Sequence, residues 1–268
     1  MDHISYSQLN MVLKCGEQYR RRYVKGDIIP PSGTLVRGKC GHRALELNLK
    51  QKIETDTDLP TEAVLDEFTD NWEKEKYSIA YGEEELEGRS PKVIEGQLKD
   101  SGVGMVRVFH EGDPARKVEA ISPRIHPLEV EQEFLVEFEE TPVKLKGVID
   151  TVDRDHVISD RKFTGKTPSD ADALHDDQLS IYDLGHRVKY GTPATRLEKH
   201  CAIDLKSGPK TKIVVSPPRE EDQLHRILSR LQAGMNAIKS GTFVPAPSGV
   251  WWCSPKWCGY WPTCKLHP

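Results

Sequence analysis

"GVIDTVDRDHVISDRKFTGKTP", residues 147–168, is the stretch on which the fold turns. "GVIDTV" and "HVISDRKF" have the β-branched content and alternation of strands, and the tight "DRD" link folds them into a hairpin. Asp160 and Lys162 are two residues apart, so on a strand they project from the same face. Asp150 ends the first strand about as far before the turn as Asp160 lies after it, which brings two carboxylates together. Such anions repel, and one takes up a proton near neutrality unless a cation sits between them. Hard carboxylate oxygens suit Mg²⁺ or Mn²⁺. An ion there can polarise a phosphoryl oxygen and lower the pKa of a bound water, with Lys162 orienting that water and neutralising developing charge. The competing reading is a surface hairpin with a salt bridge between neighbours.

Strands are also expected over 128–138, 143–152, 156–164, 200–205 and 212–216, and helices over 170–189 and 217–241, the last stopped by Gly241. Upstream, a first helix runs to about Tyr23. A second, 34–50, puts Val36, Cys40, Ala44 and Leu47 on one stripe, and a third opens at Pro60 with Leu65, Phe68 and Trp72 at helical spacing. A further helix is expected over 91–111. No repeat or low-complexity linker interrupts the chain. The fold class expected is α/β, as one domain over 1–268: a mainly helical part (1–111), a core (112–241) and a cysteine-rich tail (242–268).

With 37% hydrophobic and 30% charged residues, the 268-residue chain has the composition of a well-solvated globular protein. "MDHISYSQLN" lacks the basic start and apolar run of a signal peptide, and no stretch approaches the roughly 18 apolar residues of a membrane span. A cytoplasmic, intracellular setting without membrane contact is therefore expected. Net charge is −4, so no global positive field announces a polyanionic partner. The basic residues nevertheless cluster in "KCGEQYRRRYVK" (14–25) and "RGKCGHR" (37–43), while 54–87 is acidic. That segregation permits a basic groove on an acidic body, or two solvated helix faces.

Other side chains bear on the hairpin. His42 lies on a helix after a Gly-bearing turn and would complete a site suited to Mn²⁺ as well as Mg²⁺, although a lone helical histidine is also commonly structural. Gln178 and Tyr182 sit one helical turn apart and offer hydrogen bonds to phosphate or a base edge, unless they are ordinary helix surface. Cys253, Cys258 and Cys264 crowd the tail among tryptophans and prolines, and Cys15 is the candidate for a fourth thiolate. Four thiolates suit Zn²⁺ or an iron–sulfur cluster, and the absence of paired C-x-x-C knuckles favours the cluster. Cys40 and Cys201 read as buried thiols.

Taken in order, "SYSQLNMVLKCGEQYRRRY", "GKCGHRALE", "GVID", "SDRK", "QLSIY" and "GTFVPAPSGVWWCSPKWCGYWPTC" resemble the RecB-like branch of the PD-(D/E)XK nucleases, including CRISPR-associated and phage-type exonucleases. The resemblance implies a restriction-endonuclease-like core, a central mixed sheet flanked by helices, carrying an N-terminal helical elaboration and a tail that closes on Cys15. It implies metal ligation by His42, Asp150, Asp160 and the Arg161 main-chain carbonyl, a catalytic Lys162, and an accessory pair in Gln178 and Tyr182. It also implies a [4Fe-4S] cluster on Cys15, Cys253, Cys258 and Cys264. The activity implied is a Mg²⁺- or Mn²⁺-dependent deoxyribonuclease, an exonuclease preferring single-stranded DNA ends. Its settings would be recombination, repair or phage DNA metabolism, inside a host cell, with a helicase, recombinase or CRISPR adaptation partner. Two departures stand out: the second acid is Asp160 where Glu is common, and Ile149 replaces the proline of the superfamily's name. Glu133 and Glu46 are further acids without an assigned role. The rival functions are a non-cleaving nucleic-acid-binding module and an iron–sulfur redox sensor.

Overall fold

Ser5 starts the first helix with a capping box, its hydroxyl accepting from the Gln8 amide while the Gln8 side chain accepts from the Ser5 amide. The structure, a computed structural model, describes residues 3–138 and 141–267. In chain order its principal elements are β1 (His3–Ser5), α1 (Tyr6–Lys14), α2 (Gly33–Thr55), α3 (Thr61–Glu75), α4 (Pro91–His110), β2 (Pro127–Phe138), β3 (Thr141–Asp153), β4 (Val157–Thr164), α5 (Asp177–Tyr190), β5 (Arg196–Ile203), β6 (Lys210–Ser216) and α6 (Glu221–Ser240). The result is a mixed α/β fold whose sheet is flanked by helices, as expected. The chain forms two compact units, one of residues 1–30, 135–147 and 219–268, the other of 31–134 and 148–218.

In the first unit, β1 pairs in parallel with the start of β3, His3 opposite Lys144. The first helix is shorter than periodicity predicts. Cys15 adopts an extended conformation (φ −160°), ending α1 before a short turn at Gly16–Tyr19 and a wide π turn at Arg20–Val24. Tertiary contact explains the break: the Gly16 amide donates to the Val244 carbonyl at 2.6 Å, and a Cβ on Gly16 would lie 2.6 Å from Phe243 backbone. Gly234 on α6 likewise lets Leu9 of α1 approach closely. Beyond α6, capped by Gly241 in the left-handed conformation, the tail has turns and one short 3-10 helix, Trp261–Thr263.

In the second unit, α2, α3 and α4 enclose a core of Val36, Cys40, Ala44, Leu45, Leu49, Phe68, Trp72 and Met105. Leu47, assigned to this stripe from sequence, is exposed, and Leu45 and Leu49 take its place. β4 pairs antiparallel with β3, parallel with β5, and β5 pairs antiparallel with β6. The strand expected at 200–205 begins earlier, at Arg196, because its whole length zips onto β4 from Val157↔Arg196 to Thr164↔Ile203. The helix expected at 170–189 divides into Ala171–Leu174 and α5, since the Asp176 carboxylate caps the Leu179 amide at 3.0 Å and starts a new helix.

Candidate active site

The hairpin register, Thr151↔Ser159, carried one step further sets Asp150 opposite Asp160. Both are buried, Asp160 almost completely at 1% exposure. The Lys162 ammonium hydrogen-bonds Asp160 Oδ1 at 2.9 Å and lies 2.8 Å from Oδ2, which itself accepts no hydrogen bond among the described residues. Lys162 also donates to Gln178 Oε1 at 2.9 Å, and Gln178 Nε2 donates to the Tyr182 hydroxyl at 2.6 Å. This relay fixes direction: because Tyr182 accepts from Gln178, its own proton remains available to a ligand. The Asp176 cap starts α5, whose first two turns carry Gln178 and Tyr182.

Burial raises the Asp160 carboxyl to about 7, the Lys162 charge opposes that shift, and the Asp150 charge adds to it. Burial would lower Lys162, but the Asp160 charge and hydrogen bond hold the ammonium above its ordinary value. The two shifts describe one situation, a pair of buried carboxylates sharing a single nearby ammonium. Tyr182 is raised well above a normal phenol by burial and by both aspartates, so it stays protonated.

His42 enters from α2, with Nδ1 3.5 Å from Asp150 Oδ2. Burial lowers its imidazole to about 4, outweighing the pull of Asp150, so the ring is neutral at pH 7. A hydrogen bond with the Arg161 main chain also bears on the ring. Gly41 makes room for this neighbourhood, since a Cβ there would come within 2.3 Å of the Phe163 ring, which itself packs 5.7 Å from the His42 ring.

Two participants were not read from sequence. The Arg161 guanidinium is wholly buried, 2.5 Å from Glu131 Oε1 and 3.7 Å from Asp150 Oδ2, while the Arg161 amide donates to Asp150 Oδ2 at 2.9 Å. Its Nε and Nη1 have no hydrogen-bond partner among the described residues. Glu131 adopts a left-handed backbone (φ 54°), and burial raises its carboxyl to about 7. A non-glycine residue in that conformation carries backbone strain. "EVEQEF" shows only alternating acids, so neither the left-handed residue nor the pairing of Glu131 with Arg161 is visible in it.

The donor chemistry fits a hard divalent cation: the buried Asp160 carboxylate, a second carboxylate opposite it, and an unprotonated imidazole beside that. Among the described residues, however, no three His, Cys, Asp or Glu side chains are drawn into a group that could hold a metal. Lys162 neutralises Asp160 instead.

The clustered basic residues are largely tied up. Arg37 pairs with Asp204, Lys39 and Arg43 with Glu75, Arg20 with Glu17, and Arg21 with Asp27. In the first unit Cys15, Cys253, Cys258 and Cys264 line one hollow, and Gln18 donates to Cys258 Sγ at 3.2 Å. Burial and then the other three cysteines raise the Cys253 thiol. Cys40 and Cys201 are buried free thiols, as expected.

Residues 3–265 match the profile of the PD-(D/E)XK nuclease superfamily. The chain belongs to that superfamily. Among solved structures it resembles a candidate exonuclease from Eubacterium rectale, 13% identical over 96% of this chain and 87% of the other, with a TM-score of 0.49. It also resembles a protein designated SSO0001, 12% identical over 100% of this chain and 87% of the other, with a TM-score of 0.42. No curated protein matches. No helix among the described residues is long and apolar enough to cross a membrane.

Proposed function

We propose that this superfamily member is a Mg²⁺- or Mn²⁺-dependent DNA nuclease, an exonuclease acting on single-stranded ends. The observation that carries the reading is the buried pairing of Asp150 and Asp160 with Lys162 bridging Asp160 and Gln178. His42, Asp150, Asp160 and the Arg161 carbonyl would hold the ion, which supplies Lewis-acid polarisation of the phosphate and a more acidic water. Lys162 orients the attacking water and neutralises charge growing on the phosphate, with Gln178 fixing the direction of its ammonium. Tyr182 donates its free proton to a non-bridging oxygen. The preference for single-stranded ends rests on the RecB-like resemblance.

The cysteine set is proposed to hold a [4Fe-4S] cluster, with Zn²⁺ as the alternative, on the strength of four thiols lining one hollow. In this reading the cluster is a structural staple between the end of α1 and the tail.

The test is cleavage of end-labelled single strands by wild type, Asp160→Ala and Lys162→Ala, with a parallel binding assay. Each variant should cut at least ~10²-fold more slowly, about 3 kcal/mol of barrier, while still binding DNA. Normal cutting by both variants overturns the site. No cutting by wild type in Mg²⁺ or Mn²⁺ favours the non-cleaving module.

A further inference from the structure

The basic runs of the sequence are largely paired, yet a separate set of cations gathers at one edge of the sheet. β6 is the outermost strand on its side. Between it and residues 116–124 opens a cleft of about 430 Å³, lined by Arg116, Lys117, Arg124, Lys210 and Lys212. Glu119 is the one carboxylate among the described lining residues. In a chain of net charge −4 this is a local concentration of positive charge, assembled by the fold from two distant segments.

Each wall of the cleft is fixed locally. Thr211 Oγ1 donates to the Glu119 carbonyl at 2.6 Å, holding the 116–121 segment against β6. Arg116 Nε donates to Asp113 Oδ2 at 2.6 Å, and the guanidinium passes so close over Gly208 that no Cβ would fit there. Lys117 takes the left-handed conformation (φ 57°) at the tip of the turn that the Asp113–Val118 bridge closes. Lys117 and Lys210 enter no ion pair among the described residues, and Arg124 has the exposed Glu119 at 3.5 Å.

The sheet register joins this edge to the candidate active site. Lys162 of β4 lies opposite Cys201 of β5, and Cys201 lies opposite Lys212 of β6, so Lys162 and Lys212 stand in one row on one sheet face. Two interstrand spacings set their backbones roughly 10 Å apart. Lys212 also donates to the Pro168 carbonyl at 2.9 Å and pairs with Asp170 at 2.9 Å, tying down the loop that leaves β4 just after Lys162. Lys166 is exposed on that loop. Cations therefore run from Lys162 through Lys166 and Lys212 to Lys210 and Lys117, all within the second unit.

We propose that this cleft binds the phosphodiester backbone of the DNA strand whose end occupies the candidate active site. Its place behind that end rests on the nuclease reading above, whereas the contact itself can be measured without cleavage. A row of lysines and arginines complements a row of phosphates. No aromatic ring lines the cleft among the described residues, so bases find no stacking platform and the contact reads charge and not sequence. A free phosphate or a mononucleotide would engage one or two of these cations. A strand answers the whole row.

The test is fluorescence anisotropy of end-labelled single strands of about 20 and about 4 nucleotides on the metal-free full chain, over a salt series, beside cleavage assays in Mg²⁺ and Mn²⁺. Lys117→Gln/Lys210→Gln removes two charges that the proposed chemistry does not use. It should weaken the long strand about 20-fold at ~0.1 M salt and flatten log affinity against log salt by about 1.4, the worth of two single-strand phosphate contacts. The short strand, which reaches only the active site, should be bound and cut as by wild type. Lys74→Gln/Lys92→Gln removes the same charge from exposed helical positions and should change the long strand's affinity less than about twofold. Unchanged affinity and slope in the Lys117/Lys210 variant overturn the cleft even where wild type cuts DNA normally. So does an equal loss in the Lys74/Lys92 variant, an equal loss on the short strand, or a wild type that binds no strand at low salt. The expected losses in a protein that cuts nothing in either metal would support the cleft as a DNA contact and remove the nuclease reading instead.

Discussion

Asp160→Asn separates the energetic demand of the site from its chemistry. The carboxyl sits at about 7 in the folded chain against 3.8 when exposed, with burial the main cause. A group whose folded pKa is raised binds its proton more tightly when folded. The folded state is therefore fully stable towards it below about pH 4 and loses stability as pH rises through about 7. About three units at 1.36 kcal/mol each gives roughly 4 kcal/mol as an upper bound on what this carboxylate costs above neutrality. The pull of Lys162 is already contained in that shift, so the amide, which stands in for the neutral acid, removes the whole cost. Metal-free Asp160→Asn should thus be more stable than wild type by up to about 4 kcal/mol at pH 8, and equal to it at pH 4. The assay is urea unfolding at pH 4, 6 and 8 in EDTA. Equal or lower stability of the amide at pH 8, or a gain independent of pH, would refute the reasoning.

Lys162→Met should slow cleavage of single strands by at least ~10²-fold in single-turnover assays, since it deletes the only ammonium bound to Asp160 among the described residues. Tyr182→Phe should lower kcat by about tenfold and cost about 1 kcal/mol of stability, because the ring remains buried but the donor and the acceptor of Gln178 Nε2 are both lost. Gly41→Ala should destabilise the fold by about 1–3 kcal/mol in chemical denaturation, as the new methyl meets the Phe163 ring. Anaerobically purified protein should show a broad shoulder near ~400 nm with about four irons per chain. Cys15→Ala should lose the colour and melt lower; a soluble, colourless and fully active Cys15→Ala protein would contradict the staple.

What was legible in the sequence was local. Alternation in "HVISDRKF" put Asp160 and Lys162 on one face, and the i, i+4 spacing of Gln178 and Tyr182 produced their hydrogen bond. The crowding of Cys253, Cys258 and Cys264 was plain in the tail, while Cys15, which lines the same hollow, came from the RecB-like resemblance. Features that depend on distant partners were hidden. The break at Cys15 requires Val244, more than two hundred residues away, and the Arg161 guanidinium pairs with Glu131 from another strand. The basic runs left a groove and two solvated faces equally open, because charge patterning says nothing about the pairing of Lys39 and Arg43 with Glu75 or of Arg37 with Asp204. Leu47 failed as a core residue because the buried stripe of α2 runs instead through Leu45 and Leu49.

The central claim, that two hairpin carboxylates share one cation, is tested most directly by anomalous diffraction from crystals of this protein soaked in Mn²⁺. The account predicts a peak within about 2.5 Å of a carboxylate oxygen from Asp150 and another from Asp160, with the His42 ring turned towards it and Lys162 Nζ displaced from Asp160. A fully occupied Mn²⁺ elsewhere, with Lys162 still seated on Asp160, would contradict it.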